Sequence, residues 1–392
     1  MNRRQILQLA SLIPACAAAG SRGSNSPADH PAARTPVIDI TDLYHPPQDP
    51  GDNFDLIAPY ALPSIDLKAV IFDVTARFRR KVAAEPGSLY QDDQGPRDPG
   101  FIPVTQLNAL FGRNVPCACA PFVNLRAPDD PARDAPAFQQ AGITLLCDIL
   151  RAAPQPVHIV SFGSARPLAI AFNREPDLLR SQIARIHLCA GAAPPGYLEW
   201  NVMLDPLAFV RLLASDLPLA IYPCATDQGP FELGIHNTYW QLPDLDFLPR
   251  LHPGLVRYLA YAFSRSTRVD FLRALEEDPP ADLLESLRKR PHHVWETAVW
   301  AQVADLALAR RDQEPWRLIP RHQLHPDDTI LRDDLLPCRL APRPDDQFTF
   351  TPLPPAAPAR QWIYHRPDPQ AQQAALRQAL PALYESFQPA RP

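Results

Sequence analysis

The sequence predicts an α/β fold: an open, mostly parallel sheet flanked by helices, with a helical C-terminal portion. Three observations predict it. Short apolar runs of strand length alternate with longer segments of helical spacing, the pattern of a parallel sheet covered on both faces. Several runs, such as Val157-His158-Ile159-Val160, are apolar enough for strands buried on both sides. The chain has 392 residues, 46% of them apolar, which is enough for a large core.

In chain order, Pro36–Ile40 is the first strand. The segment 56–62 has helical composition despite Pro59, and 67–72 is a second strand. A short amphipathic helix over 105–111 leads to a strand at 115–119. Residues 137–152 place Ile143, Leu146, Cys147 and Leu150 on one helical face. The strand at 157–160 ends in Ser161-Phe162-Gly163-Ser164. Helices follow at 167–173 and 176–180, then a strand at 186–189, a helix at 207–213 and a strand at 219–223. Residues 255–288 read as mainly helical, and 294–309 as one long amphipathic helix. Strand character returns at 348–350 and 361–364, before a final helix over 369–387. Loops after parallel strands gather at one sheet edge, where such folds bind ligands.

The net charge of −5, with no long basic run, argues against nucleic acid as a partner. No apolar run reaches 18 residues, so no ordinary membrane span is predicted. Forty-nine prolines against 14 glycines indicate stiff loops. Residues 1–20 read as a targeting signal: Arg3-Arg4 precede a modest apolar run, similar to a twin-arginine export signal. Ile13-Pro14-Ala15-Cys16 also resembles a lipoprotein cleavage box, with Cys16 as the lipidated residue. The expected location is therefore outside the cytoplasm, either periplasmic or anchored as a lipoprotein. Residues 21–35 read as a linker and 36–390 as one domain. Of seven cysteines, several lie in apolar runs where buried free thiols are expected, and spacing does not fix any pairing.

Four carboxylates, Asp42, Asp49, Asp52 and Asp55, cluster between the first strand and the helical segment after it. Like charges so close repel, and burying them uncompensated is costly. A hard cation, Ca²⁺ or Mg²⁺, held by oxygen ligands removes that cost; a solvated acidic turn is the other reading.

Taken with later segments, this loop resembles the inosine/uridine-preferring nucleoside hydrolase family. Thr41-Asp42 and Gly51-Asp52-Asn53-Phe54-Asp55 resemble parts of that family's opening acidic motif, D-x-D-x-G-x-D-D, with extra residues between. Cys189-Ala190-Gly191-Ala192 resembles its "MGGA" strand end, and Glu199-Trp200-Asn201 with Asp205-Pro206 its E-F-N-x-x-x-D-P segment. Val294-Trp295-Glu296-Thr297-Ala298 falls where the family has H-D-P-x-A.

The resemblance implies a Ca²⁺-dependent N-glycosidase acting on a small ribosyl substrate. It implies metal ligands at Asp42, Asp52, Asp55, Glu296 and the Phe162 carbonyl. Asp52, Glu199, Asn201 and Glu296 would contact the sugar, and Asp42 or Asp49 would take a proton from the attacking water. The chemistry is coherent: breaking an N-glycosidic bond builds an oxocarbenium-like cation that a carboxylate-rich pocket stabilises.

Departures from the pattern support a second reading, a catalytically reduced protein that binds ribose-like ligands through the same cradle. Counting by twos from Asp42 puts Ile40 toward the site and Asp39 away from it. Thr75-Ala76-Arg77 stands where the family has "AGN", and Trp295 stands where it has a histidine. His45, His292-His293 and the segment His236–Trp240 are further candidates for leaving-group contacts or, equally, for solvated or packed positions. No G-x-S-x-G elbow occurs, which disfavours a serine hydrolase.

Overall fold

Residues 34–44, 50–78 and 100–390 are described by the structure, a computed structural model. The targeting segment, Cys16, His45 and Asp49 lie outside the described residues.

The strands are β1 (Thr35–Thr41), β2 (Ile65–Phe72), β3 (Cys117–Cys119), β4 (Val157–Ser161), β5 (Ile183–Cys189), β6 (Leu219–Tyr222) and β7 (Trp240–Leu242). They continue with β8 (His292–Val294), β9 (Leu306–Arg311), β10 (Arg317–Pro320), β11 (Asp328–Leu331), β12 (Asp334–Pro342), β13 (Phe348–Pro352) and β14 (Gln361–His365). Nine of them form one sheet in the order β13-β12-β14-β6-β5-β4-β1-β2-β3. From β14 through β3 every neighbouring pair is parallel; β12 and β13 add antiparallel strands at one edge. The open, mostly parallel sheet is therefore as predicted, extended by an antiparallel margin that the sequence reading did not contain.

Side chains alternate across the sheet and separate two apolar layers. Ile38, Ile40, Ile71, Ile159 and Leu188 pack on one face with Ile143, Leu146 and Leu150 of the helix Ala137–Ala152. Val37, Val70, Val160, Cys189 and Tyr222 pack on the other, with the helices Phe101–Phe111, Pro253–Phe263 and Pro369–Glu385. Asp39 belongs to this second face by alternation. In register it lies opposite Val70 on β2 and Val160 on β4.

Two predicted elements differ. The expected long helix over 294–309 is a short helix, Thr297–Val303, followed by β9. The chain turns at Asp305, in the left-handed region with φ 54°, and Leu306–Arg311 then pairs antiparallel with both β10 and β11. A short apolar run has no periodicity of its own that separates a helix from a buried strand, and tertiary pairing decided it. The acidic loop is also partly helical: Pro50–Asp55 forms one turn and a half, continued by Ile57–Ala61.

A buried ion pair ties the C-terminal ends of β2 and β4 together. The Arg166 guanidinium donates to Asp73 Oδ1 at 2.6 Å, to the Val74 carbonyl at 3.0 Å and to Thr75 Oγ1 at 2.9 Å. Asp73 Oδ2 accepts the Ser164 N–H at 2.6 Å, and both charged side chains are wholly buried. Removing one partner strands the other charge, at a cost of roughly 3–5 kcal/mol. Arg166→Ala is therefore expected to lower the urea unfolding free energy by about that amount. A loss below about 1 kcal/mol would show that the pair is not what joins these strand ends.

Candidate functional site

The C-terminal edge of the sheet is where β1, β4 and β5 deliver the residues that the sequence singles out. β1 ends at Thr41, so Asp42 is the first residue beyond the strand. Alternation cannot be counted through a residue that has left the strand. Counted inside β1, Asp39 and Thr41 share one face, and Ile40 lies in the apolar layer of the opposite face. The expected assignment of Ile40 to the site and Asp39 away from it is thus reversed.

Asp39 and Thr41 line a small cavity together with Asp52, Asp55, Leu56, Phe162, Glu296 and Trp300. Its space suits a single ion or water rather than a sugar. Carboxylates more than 240 positions apart in the chain thus share one lining. The helical turn Pro50–Asp55 brings Asp52 and Asp55 there. It is clamped from behind by the C-terminal helix: the Tyr384 hydroxyl donates to the Phe54 carbonyl at 3.2 Å, and the Phe54 and Tyr384 rings stack at 4.4 Å. Tyr258 adds a hydrogen bond to Asn53 Oδ1 at 3.3 Å. Glu296 arrives at the start of the helix Thr297–Val303, where its Oε2 accepts the Trp295 N–H at 2.9 Å.

The electrostatics follow from this crowding. Asp39 is wholly enclosed, and its Oδ1 has no hydrogen-bond partner. Burial, with the nearby Glu296 charge, pushes its carboxyl up to about 8. Among the described residues, no arginine or lysine lines the cavity. The buried Arg166, after β4, is committed to Asp73, with Asp205 at 3.7 Å.

The donor set is all oxygen, which suits a hard divalent ion and not a soft one. Asp39, Asp52, Asp55, Glu296 and the Phe162 carbonyl are the groups that would hold it. Among the described residues, no three His, Cys, Asp or Glu side chains already converge as a ligand set.

The other predicted site residues lie around this cavity. Asp42 is outside its lining; its Oδ2 accepts the Trp200 indole N–H at 3.4 Å. Trp200 is 40% exposed and packs on Phe78 at 4.8 Å. Glu199 caps the short helix Trp200–Leu204. Its carboxylate accepts the N–H groups of Gly191 at 2.8 Å, Asn201 at 3.0 Å and Val202 at 3.3 Å. Burial still raises it to about 7 against those bonds. Asn201 Nδ2 donates to the Cys189 carbonyl at 2.8 Å and to the Phe162 carbonyl at 3.1 Å, so it positions one cavity group directly. Its Oδ1 remains as an acceptor.

Beside Glu296, Trp295 belongs to an aromatic group with Phe231, Tyr239 and His293. Ring centroids are 6.0 Å from Trp295 to Phe231 and 5.4 Å to Tyr239, and Phe231 is 57% exposed. The Tyr239 hydroxyl and His293 Nδ1 are 3.0 Å apart. Of the expected segment His236–Trp240, Asn237 to Trp240 are buried in packing, and Phe231 before them is the exposed ring. His292 is buried against Phe54 at 5.0 Å. Arg77 is exposed, its guanidinium over the Phe78 ring at 5.2 Å.

Sequence reasoning missed Asp39, Thr41 and Trp300 as cavity residues. The available signal for Asp39 was a single carboxylate between Ile38 and Ile40 inside an otherwise apolar strand, a position that burial makes costly unless it serves something.

No protein-family model matches the chain. Among curated proteins, the pyrimidine-specific ribonucleoside hydrolase RihA of Escherichia coli is 35% identical over 100 residues, covering 24% of this chain and 32% of that protein. The enzyme of the same name from Salmonella newport is 38% identical over 87 residues, covering 20% and 28%. The match therefore spans about a third of these relatives' length. Among solved structures, a purine-preferring ribonucleoside hydrolase from Gardnerella vaginalis aligns with a TM-score of 0.47 at 13% identity, over 90% of this chain and 99% of that one. An inosine-uridine preferring nucleoside hydrolase from Bacillus anthracis aligns with a TM-score of 0.40 at 12% identity, over 85% and 94%. The chain resembles nucleoside hydrolases, as its motifs indicate.

Asp39 makes stability depend on pH in a fixed direction. Between its unfolded value of 3.8 and its folded value of about 8, the folded chain holds a proton that the unfolded chain lacks. Stability from this group is complete below pH 4 and is lost as pH rises toward 8. Relative to Asp39→Asn, the wild type without added cation should lose stability between pH 5 and 8, by on the order of 1 kcal/mol per pH unit. Urea midpoints that run parallel in the two proteins would contradict the buried, proton-holding carboxyl.

Proposed function

We propose that this chain is a metal-dependent N-glycosidase that hydrolyses a ribosyl compound, with Ca²⁺ as the metal. One observation carries the reading: Asp39, Asp52, Asp55 and Glu296, from early and late parts of the chain, line one cavity with the all-oxygen donors that a hard cation takes. Burying carboxylates around one cavity is costly, and a bound cation would lower that cost. The partial sequence likeness to ribonucleoside hydrolases supports the choice of reaction.

Ca²⁺ in this cradle would grip a sugar's vicinal diol and lower the pKa of a bound water. The protein's own groups do the rest. The carboxylates set a negative potential that favours the oxocarbenium-like transition state over the neutral ground state. Asn201 fixes the Phe162 carbonyl beside the cavity and offers Oδ1 to a sugar hydroxyl. Asp42, steadied by the Trp200 indole, is the proton acceptor for water; Asp49 is the other sequence candidate for this role. Glu199 supports the site through the backbone it caps, with contact to the far end of the sugar as its further role. Trp295, Phe231 and Tyr239 offer flat faces to a leaving group.

A specific observation favours a second reading, ribose binding without turnover. The last residue of β1, which lines the cavity with Asp39, is Thr41 and not a carboxylate, and Asp42 lies outside the cavity lining.

The test is ribose release from a panel of nucleosides and other ribosides by the Ca²⁺-loaded protein. Release is expected, with Asp52→Ala and chelator each lowering kcat/KM by at least about a hundredfold, as for loss of groups acting on transition-state charge. Ca²⁺-dependent ribose binding with no release would select the second reading. Neither release nor binding, in the wild type and in Asp52→Ala alike, would remove both.

A further inference from the structure

Three small cavities adjoin one another along the helix Thr297–Val303. The first is the carboxylate cavity, which Trp300 also lines. The second is lined by Asp55, Thr297, Trp300 and Tyr384 among aliphatic side chains. The third is lined by Thr238, Thr297, Asp333, Tyr364, Arg366 and Gln372, again among apolar groups. Asp55 and Trp300 belong to both the first and the second cavity. Thr297, Ala301, Leu306 and Leu318 belong to both the second and the third. Helical spacing explains the common wall: Thr297, Trp300 and Ala301, three and four positions apart, share one face of their helix. The cavities leave about 10, 10 and 20 Å³, in that order, to a water-sized body, close to what a single water needs.

Each cavity has in its lining a buried residue with a polar atom that lacks a hydrogen-bond partner among the described residues. These atoms are Asp39 Oδ1 in the first, Trp300 Nε1 between the first and second, and Thr238 Oγ1 in the third. The three residues are 1%, 4% and 2% exposed. An unpaired buried donor or acceptor is costly, and native folds keep few of them. Partners for a bridging water stand close by. Thr297 Oγ1 accepts the Trp240 indole N–H at 3.2 Å, which leaves its own hydroxyl hydrogen to donate. The Tyr364 hydroxyl is 3.2 Å from Gln372 Oε1 and 3.4 Å from Asp333 Oδ2. Asp333 is where the third cavity comes nearest to solvent: its side chain is 14% exposed, with the Arg321 guanidinium at 3.9 Å.

We propose that the three cavities bind a file of buried waters, and that the carboxylate cavity exchanges water with solvent through this file, beside Asp333. The first water accepts no more than the site already offers: oxygen atoms of Asp39 and its neighbours. The second takes the Trp300 indole N–H, and the third takes the Thr238 hydroxyl. Each shared wall carries one side chain able to hydrogen-bond on both sides, Asp55 between the first and second waters and Thr297 between the second and third. The aliphatic remainder of the walls, Ala301, Leu306 and Leu318, keeps the file one water wide. Hydrolysis consumes one water for each bond broken, and the file replenishes it along a path separate from the Trp200 and Trp295 side chains that flank the site. That use of the water rests on the function proposed above; the file and its exchange do not.

The test uses the full chain without added cation. A high-resolution crystal structure is expected to show an ordered water in each cavity, the second bonded to Trp300 Nε1 and the third to Thr238 Oγ1. A cavity without water would overturn the file. Thr238→Val keeps the shape of the side chain and removes its hydroxyl. If that hydroxyl holds a water, the variant strands the water's other bonds, and the unfolding equilibrium constant is expected to rise at least about fivefold. An unchanged or smaller constant would show that the hydroxyl held nothing, and would overturn the proposal. Oxygen-17 relaxation of the solvent reads the residence times of internal waters. Ala301→Val and Leu318→Phe each thicken the wall between the second and third cavities, and the longest residence time is expected to lengthen at least about tenfold. A residence time equal to that of the wild type, in either variant that folds, would overturn the exchange route. None of these readouts depends on ribose release or on a bound cation, so a failed glycosidase assay and a failed water file are separately visible.

Discussion

Enclosing carboxylates around one cavity is costly, and this protein does so with Asp39, Asp55 and Glu296. Asp39 is fully enclosed and one of its oxygens has no hydrogen-bond partner; burial first, and then the Glu296 charge, push its carboxyl up to about 8. Asp52 and Asp55 line the same cavity. Two buried arginines are engaged elsewhere: Arg166 sits on Asp73, and Arg366 is buried among the Gly234 and Tyr239 carbonyls and Asn237. At Asp39 a proton balances the charge, and an added cation would do the same.

The surrounding architecture serves this arrangement. The helical turn that carries Asp52 and Asp55 is held by Tyr258 and Tyr384. Glu296 comes from the short helix after β8, and β8 is itself paired with β7. The Phe162 carbonyl at the end of β4 is fixed by Asn201, whose own helix is capped by Glu199. Each of these is an ordinary packing or capping device, and together they hold groups from early, middle and late parts of the chain around one point. Catalytic precision needs this kind of support around the reacting centre.

Much of this was legible in the sequence and some was not. The helix over 137–152 and the strands β1, β2, β4, β5 and β6 could be read because long periodic segments and continuous apolar runs carry strong local signals. The grouping of Asp52 and Asp55 with Glu296 came from motif order and not from periodicity. The error over Asp39 and Ile40 came from carrying strand alternation past the strand's end at Thr41. Strand β9 was hidden because Leu306–Arg311 looks the same as a helix end until its two antiparallel partners, distant by several turns of chain, are in place. Glu199 could be recognised as important but not as a helix cap, since the N–H groups it satisfies exist as a cluster only after folding.

The account stands or falls on a single divalent ion shared by Asp39, Asp52, Asp55 and Glu296. Calorimetric titration of Ca²⁺ into the wild type, Asp39→Asn and Glu296→Gln measures this directly. The account predicts one Ca²⁺ per chain in the wild type, with proton release on binding at pH 7, and affinity lowered at least about tenfold in each variant. Equal Ca²⁺ affinity in all three proteins, or no binding in any, would contradict it.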